Sequence, residues 1–306
     1  MQILKRLADT VSTALGALLL TGCAALPSSA EPAHDYVADA DPALFKLSDD
    51  DTTIYLFGTF HMLDDKTVWF DDAVADAFAA SDRLVLEAVM PEPAKLQATF
   101  LARAFDMQGE PLDKELGPEA WGRLKAQLDA FDEPVEPYMP MDPWFAAISL
   151  VKLQFEKLGY SPANGAESIL RAAAEKRGIP IEGLETLDSQ LELFDSLPPH
   201  AQVTFLMQAV DELETAETEV ADLSNLWRRG DIASFAEHTN KGMEEDPALF
   251  RRVFNDRNAN WADRIAKMME TPGTTFVAVG AGHLGGKDNV QEKLAERGFT
   301  VTRVAN

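Results

Sequence analysis

The chain has 306 residues, 46% of them hydrophobic and 25% charged, a balance that fits a soluble globular protein of one large or two small domains. Its formal net charge is −24, and the acidic residues are spread along the chain instead of gathered in a tail. So negative a surface excludes wrapping by DNA or RNA, because a phosphate backbone needs clustered Lys and Arg.

The chain opens MQILKRLADTVSTALGALLLTGCAA, with Lys5 and Arg6 ahead of a short apolar run. This is the form of an export signal, and the run is too short for a membrane-spanning helix. Its ending, Leu20-Thr21-Gly22-Cys23, resembles a bacterial lipoprotein signal, in which residues 1–22 are removed and Cys23 carries lipid. An ordinary signal peptide with a stray thiol is the alternative. Lipoprotein signals of this kind imply diacylglycerol on the sulfur and a third acyl chain on the amine, and several chains anchor stably where one does not. Ala24 follows Cys23 where an Asp would hold the protein at the inner membrane, so an outer-membrane anchor facing the periplasm is favoured. Cys23 is the only cysteine, so disulfides contribute nothing. Residues 23–41, small, polar and proline-containing, read as a flexible tether, with His34 inert and solvent-exposed within it.

One ordered domain is expected over residues 42–306. "ALFKLSDDDTTIYLFGTFH" places two apolar runs around Asp49-Asp50-Asp51, which predicts a hairpin with an acidic turn. "DAVADAFAASD" has helical spacing and "RLVLEAVM" reads as a buried strand. From about residue 91 to 273 helical spacing dominates, interrupted by the strand "IPIEGLE". The end reads strand, turn, helix, strand: "TTFVAV", "GAGHLGGKD", "NVQEKLAERG", "FTVTRV".

Gly280, Gly282 and Gly285 have the G-x-G-x-x-G spacing of a dinucleotide loop. That fold, however, requires an acid about twenty residues on to bind ribose, and "FTVTRVAN" supplies neither Asp nor Glu. A phosphate loop fails as well, since Lys287 is followed by Asp288 where Ser or Thr is needed. A different pattern accounts for the stretch. "TTIYLFGTFHML" (52–63) and "TTFVAVGAGHLG" (274–285) align without a gap, each with Thr-Thr, four apolar residues and G-x-x-H. Both are followed by a helix and a strand. The fold class expected is therefore α/β, a central sheet built from two strand–GxxH–helix–strand units with a helical insertion between them.

Glycine allows a sharp turn at a strand's carboxyl end, where open α/β sheets place their sites, and so aims His61 and His283 over the sheet edge. Neutral imidazoles are common metal ligands, and two of them want a carboxylate as third ligand. Glu87, ending "RLVLEAVM" on a strand expected beside that of His61, is the first candidate, and Glu185, ending "IPIEGLE", the second. For either, a salt bridge or cap at the sheet edge is the alternative. Arg257 is a surface arginine by default, or a site arginine that binds a carboxylate or oxyanion, and Asn258, Trp261 and Ile265 share one helix face. His200 reads as an exposed loop residue and His238 as a cation near a helix end.

GTFHML (58–63), VLEA with Glu87, GLET with Gln190 (183–190), RNANWADRI (257–265) and VAVGAGHLGG (277–286) together resemble the TraB/GumN family, related to the Tiki metalloproteases, over about residues 43–304. The family commonly has Gly-x-Asp where this chain has Gly165-Ala166-Glu167, which keeps the charge and adds a methylene and leaves the role of Glu167 open. The resemblance implies an α/β core with a helical insertion and a divalent-metal-dependent hydrolase, shown for the Tiki branch as peptide cleavage. On this basis His61, His283 and Glu87 are expected to hold one cation (Mn, Co or Zn, since mixed imidazole and carboxylate suits all three) that polarises a carbonyl and activates water. Glu185 would then act as general base and Arg257 would stabilise the oxyanion. The substrate expected is a peptide or protein. A related lipoprotein group binds haem, which supplies the alternative of a haem- or metal-binding protein without catalysis. A non-catalytic envelope scaffold is the third reading.

Overall fold

A computed structural model of the protein describes residues 38–107, 109–240 and 247–305. The expected leader, the expected lipidation site at Cys23, His34 and most of the expected tether lie outside these residues. The strands are β1 (Ala38–Asp39), β2 (Leu44–Ser48), β3 (Thr52–Thr59), β4 (Thr67–Val68), β5 (Arg83–Ala88), β6 (Ile181–Glu185), β7 (Gly273–Gly280) and β8 (Thr302–Arg303). Six of them form one mixed sheet in the order β6-β5-β7-β3-β2-β8, while β1 and β4 pair separately.

The hairpin forms as expected. β2 pairs antiparallel with β3, and the Asp49 carboxylate accepts the backbone N–H of Asp51 and of Thr52, which closes the acidic turn. The two G-x-x-H strands are neighbours. β3 and β7 run parallel, with Thr53 opposite Thr274 and Gly58 opposite Val279, one residue away from the equivalence that the sequence repeat suggests. Each is followed by a helix and a further strand: α1 (Asp72–Ala79) and β5 after the first, α12 (Val290–Glu296) and β8 after the second. The last strand is much shorter than "FTVTRV" predicts, only Thr302 and Arg303 pairing with β2.

One expectation is corrected. The strand of Glu87 does not lie beside that of His61, because β7 lies between β5 and β3 and pairs parallel with both. The physical reason is burial. Residues 275–280 of β7 are buried one after another, and a strand with apolar side chains on both faces is stable only in the interior of a covered sheet. The connection through α1 therefore passes over a gap that the C-terminal unit fills.

The chain contacts divide the protein into two units. One contains the sheet and, besides residues up to Val89, takes in Tyr160–Glu185 and the described residues from Thr218 onward. Side chains alternate between its faces as a pleated strand requires. Ile54, Leu56, Val85, Val277 and Val279 pack with Trp261 and Ile265 of α11 (Asp256–Met268) and with Val290 and Leu294 of α12. On the opposite face Phe57 meets Trp69, Phe276 and Trp227, the last from α8 (Ala216–Arg228), while Phe78 of α1 meets Phe276. The other unit, Met90–Gly159 with Thr186–Glu217, is helical. It holds α2 (Pro93–Arg103), α3 (Leu112–Ala130), α4 (Pro143–Lys157), α6 (Leu187–Asp195) and α7 (Pro199–Glu212). Trp144, Phe145, Phe194 and Phe205 form its aromatic centre, and Arg103 joins Asp188 and Asp195. α5 (Ala166–Arg177) and α9 (Ile232–Asn240) belong to the sheet unit.

The glycine-rich turn after β7 has a packing explanation. A Cβ at Gly285 would fall 2.1 Å from the Ile232 carbonyl oxygen and 2.7 Å from the Ala236 Cβ, so only glycine allows α9 to lie against this turn. Gly285→Ala is therefore expected to destabilise the protein by about 1–3 kcal/mol, the cost of overpacking. Urea unfolding of the variant beside the parent chain measures it.

Candidate functional site

Parallel pairing brings the carboxyl ends of β5, β6 and β7 to one edge of the sheet, with Ala88 opposite Glu185 and Leu86 opposite Ala278. Glu87 and Glu185 are thus the acidic ends of two neighbouring strands. The Gly280 N–H at the end of β7 donates to Glu87 Oε1 at 2.7 Å, which fixes one carboxylate oxygen. Immediately beyond, a 3-10 turn over Ala281–His283 carries the second G-x-x-H imidazole.

Arg257 enters from α11. The helix is preceded by α10 (Pro247–Phe250) and then a π-helical segment, Arg251–Asn255, in which the Asp256 N–H reaches back five residues to Arg251 O. A π turn inside a helix commonly marks a functional position, and here the guanidinium turns back so that Nη1 donates to the Val253 carbonyl at 3.1 Å. Nη2 donates to Glu87 Oε2 at 2.7 Å and to Glu185 Oε1 at 2.5 Å, and Nε donates to Glu185 Oε1 at 3.0 Å. The guanidinium also lies over the Trp261 ring, 4.5 Å from its centroid. Arg257 is therefore a buried site arginine, 7% exposed, and not a surface cation. Burial opposes its charge, but the charges of Glu87 and Glu185 and the hydrogen bonds to both outweigh that and raise its pKa.

His283 is 0% exposed and sits between the Phe254 and Trp261 rings, 4.8 and 4.5 Å away. Its Nδ1 is 2.6 Å from Asn258 Oδ1. The amide is oriented by its own Nδ2, which donates to the Asp288 carbonyl at 2.9 Å, so the amide oxygen faces the ring and Nδ1 carries the proton. Nε2 is then the lone pair, and Arg257 Nη1 donates to it at 3.1 Å. Burial first, then the positive charges of Arg257 and His61, hold the His283 pKa well below the ordinary value. This imidazole is neutral at physiological pH.

His61 is treated differently. Its Nδ1 lies 2.6 Å from Glu167 Oε1, an ion pair between the loop after β3 and the first turn of α5. Burial lowers the basicity of the ring, but the Glu167 charge and contact, with help from Glu87, outweigh burial and the opposing Arg257 charge, and the net pKa is raised. Burial pushes Glu167 up, while His61, the Thr59 hydroxyl and the backbone N–H of Glu167 itself bring it down. The loop is fixed by its backbone. Ala166 N donates to Phe60 O, and Leu63 and Ser161 exchange N–H···O bonds. A Cβ at Gly165 would fall 1.9 Å from the His61 carbonyl oxygen, so this close approach requires glycine.

Of the five site residues expected from the sequence, four thus form one network: Glu87, Glu185, Arg257 and His283. His61 stands next to it, near enough for Glu87 and Arg257 to act on its charge. Among the described residues no group of three or more His, Cys, Asp or Glu side chains is arranged to hold a metal ion. The Arg257 guanidinium stands between Glu87 and His283 and bonds to both. Glu185 is held in a bidentate ion pair by Arg257. Asn258 and Glu167 are the functional partners that sequence reasoning left unassigned. Helical spacing put Asn258 on the buried face with Trp261, and the glycine-spaced acid put Glu167 at a helix start, but neither signal names the ring each one contacts. His200 is exposed, in the first turn of α7 and not in a loop, and His238 pairs with Glu219 at 2.5 Å.

The TraB/PrgY/gumN family model matches residues 43–303. An "Uncharacterized protein" of Treponema pallidum is 20% identical over 294 residues, which cover 91% of this chain and 87% of that protein. The "Uncharacterized protein YbaP" of Escherichia coli is 26% identical over 159 residues, 49% of this chain and 55% of YbaP, and YbaP of Shigella flexneri matches equally. No solved structure matches.

The two histidines should give opposite pH signatures in metal-free protein. His283, depressed in the folded state, contributes stability that is complete above about pH 6.5 and is lost as pH falls, because the unfolded chain takes up the proton first. His61, raised in the folded state, contributes stability that is complete below about pH 6.5 and is lost as pH rises through its folded pKa. Urea titrations from pH 5 to 8 should show the parent chain weakening against His283→Gln on acidification and against His61→Gln on alkalinisation.

Proposed function

The chain belongs to the TraB/PrgY/gumN family, and from that premise we propose that it is a divalent-metal-dependent hydrolase, peptidase-like, acting on peptide or protein substrates. In this reading it is anchored through lipid on Cys23 at the outer membrane and faces the periplasm. The observation that carries the reading is the treatment of the three candidate donors. His61 and His283 each present Nδ1 to an acceptor, Glu167 and Asn258, and Glu87 has one oxygen taken by the Gly280 N–H. Each is thus held at one end by a fixed partner, the outer-shell pattern typical of metal ligands.

The donor set fits a divalent cation in chemistry: two imidazole nitrogens and one carboxylate, with the opening left for water and substrate that catalytic sites require. When bound, such a cation supplies a polarised carbonyl and a water whose pKa approaches about 7. The protein's own part begins with Arg257. Its contacts to Glu87 Oε2 and His283 Nε2 use the lone pairs a cation would need, so Arg257 must release both for these residues to serve as ligands. Glu185, bonded to Nε and Nη2, gives the guanidinium a place to remain when it does. From there its charge is available to a developing oxyanion. Glu185 serves here as the anchor of Arg257 in place of the general base. The ligand set suits Mn, Co and Zn alike.

Hydrolysis of an unfolded protein such as casein should be lost on exhaustive chelation and return with Mn, Co or Zn. His61→Ala and His283→Ala should each lose the metal by elemental analysis while keeping a native circular dichroism spectrum. Activity that survives chelation sinks the proposal. Arg257→Met should weaken metal-free protein by about 3–5 kcal/mol, since two buried carboxylates lose their counter-ion. The same variant should bind zinc at least tenfold more tightly than the parent chain in a chelator competition.

A further inference from the structure

The two G-x-x-H motifs look alike in sequence, yet the structure supplies their imidazoles with different partners. His283 has a neutral amide at Nδ1, and His61 has a carboxylate. The segment that leads into α5 delivers that carboxylate. Residues 161–166 lie along the backbone of 60–63 through the Leu63–Ser161 bonds and the Ala166 N–H to Phe60 O. Asn164 Nδ2 adds a donor to Leu63 O at 3.4 Å. Gly165 permits the contact, since any Cβ there would overlap the His61 carbonyl. The segment then turns into α5, and Glu167 stands in its first turn, where a negative charge is favoured by the helix dipole.

We infer that Glu167 is a positioning residue: it holds the His61 ring with the proton on Nδ1 and so presents Nε2 to the site. The inference rests on the metal-site reading for its purpose and on the backbone clamp for its geometry. An imidazole without such a partner divides between two tautomers and rotates about its side chain, and loss of an outer-shell partner typically costs 10–100-fold in metal affinity. Aspartate at this position would keep the charge and shorten the reach by one methylene, so Glu167→Asp is the conservative rescue.

The test uses the full-length chain with ¹⁵N-labelled histidine, metal-free and at a pH where His61 is neutral. In the parent chain the His61 nitrogen shifts should report a proton on Nδ1. Glu167→Ala should move the proton to Nε2 and weaken zinc binding at least tenfold, and Glu167→Asp should restore both in part. Glu167→Gln, of equal size, replaces the alanine variant if that one fails to fold, and should retain Nδ1–H yet bind zinc more weakly. A parent chain with the proton on Nε2, an alanine variant with unchanged shifts, or zinc affinity within twofold of the parent in a folded variant overturns the inference. A parent chain that binds no zinc defeats the metal reading instead, and the nitrogen shifts alone then decide whether Glu167 sets the ring.

Discussion

A guanidinium kept out of water must have its charge answered, and the sheet edge of this protein is organised around answering that of Arg257. Desolvation costs several kcal/mol for each buried ion, which is recovered only with close, well-directed partners. Arg257 has them on every side. Carboxylates from β5 and β6, a carbonyl from the π turn, the His283 lone pair and the Trp261 face all converge on it. The carbonyl and the indole are local to the helix, but the two carboxylates and the imidazole come from chain segments far apart in sequence. The arginine is thus a fastening for the strand ends, and it links the orientation of Glu87, Glu185 and His283 to a single side chain.

Around that fastening the protein makes two similar histidines dissimilar. The glycines place both rings after parallel, adjacent strands, which accounts for the sequence repeat. Their partners then separate them. An amide and a cation keep His283 neutral and inside the aromatic layer, and a carboxylate keeps His61 basic at the border of the cluster. Pairs of titratable groups whose surroundings push their proton affinities apart are a recurrent property of reactive sites.

Much of this was legible in the sequence, for definite reasons. Continuous apolar runs closed by glycine gave β3 and β7, and an apolar run closed by an acid gave β5 and β6 with Glu87 and Glu185 at their ends. The one-sided face of α11 gave Asn258, Trp261 and Ile265 as buried. What escaped depended on tertiary order. Nothing local in β5 says that β7 will come between it and β3, because strand order is settled by which strand can be buried on both faces. Nothing local in Glu167 says that a glycine two residues earlier will bring it against His61. The pairing of Arg257 with both acids escaped for the same cause: opposite charges distant in sequence carry no mark of their meeting. The glycine pattern after β7 misleads in an instructive way, since Gly285 serves the approach of α9, not of a phosphate.

The place of β7 also governs when the protein can become whole. As the chain is made, β3 and β5 emerge early, and each must wait with one edge of unpaired backbone for the strand that joins them. An open edge of that kind invites pairing with other chains. Because β7 brings His283 with it, the same late event that seals the sheet also completes the cluster. A chain interrupted upstream of Gly273 would lack both the strand that joins β5 to β3 and the His283 imidazole that completes the cluster.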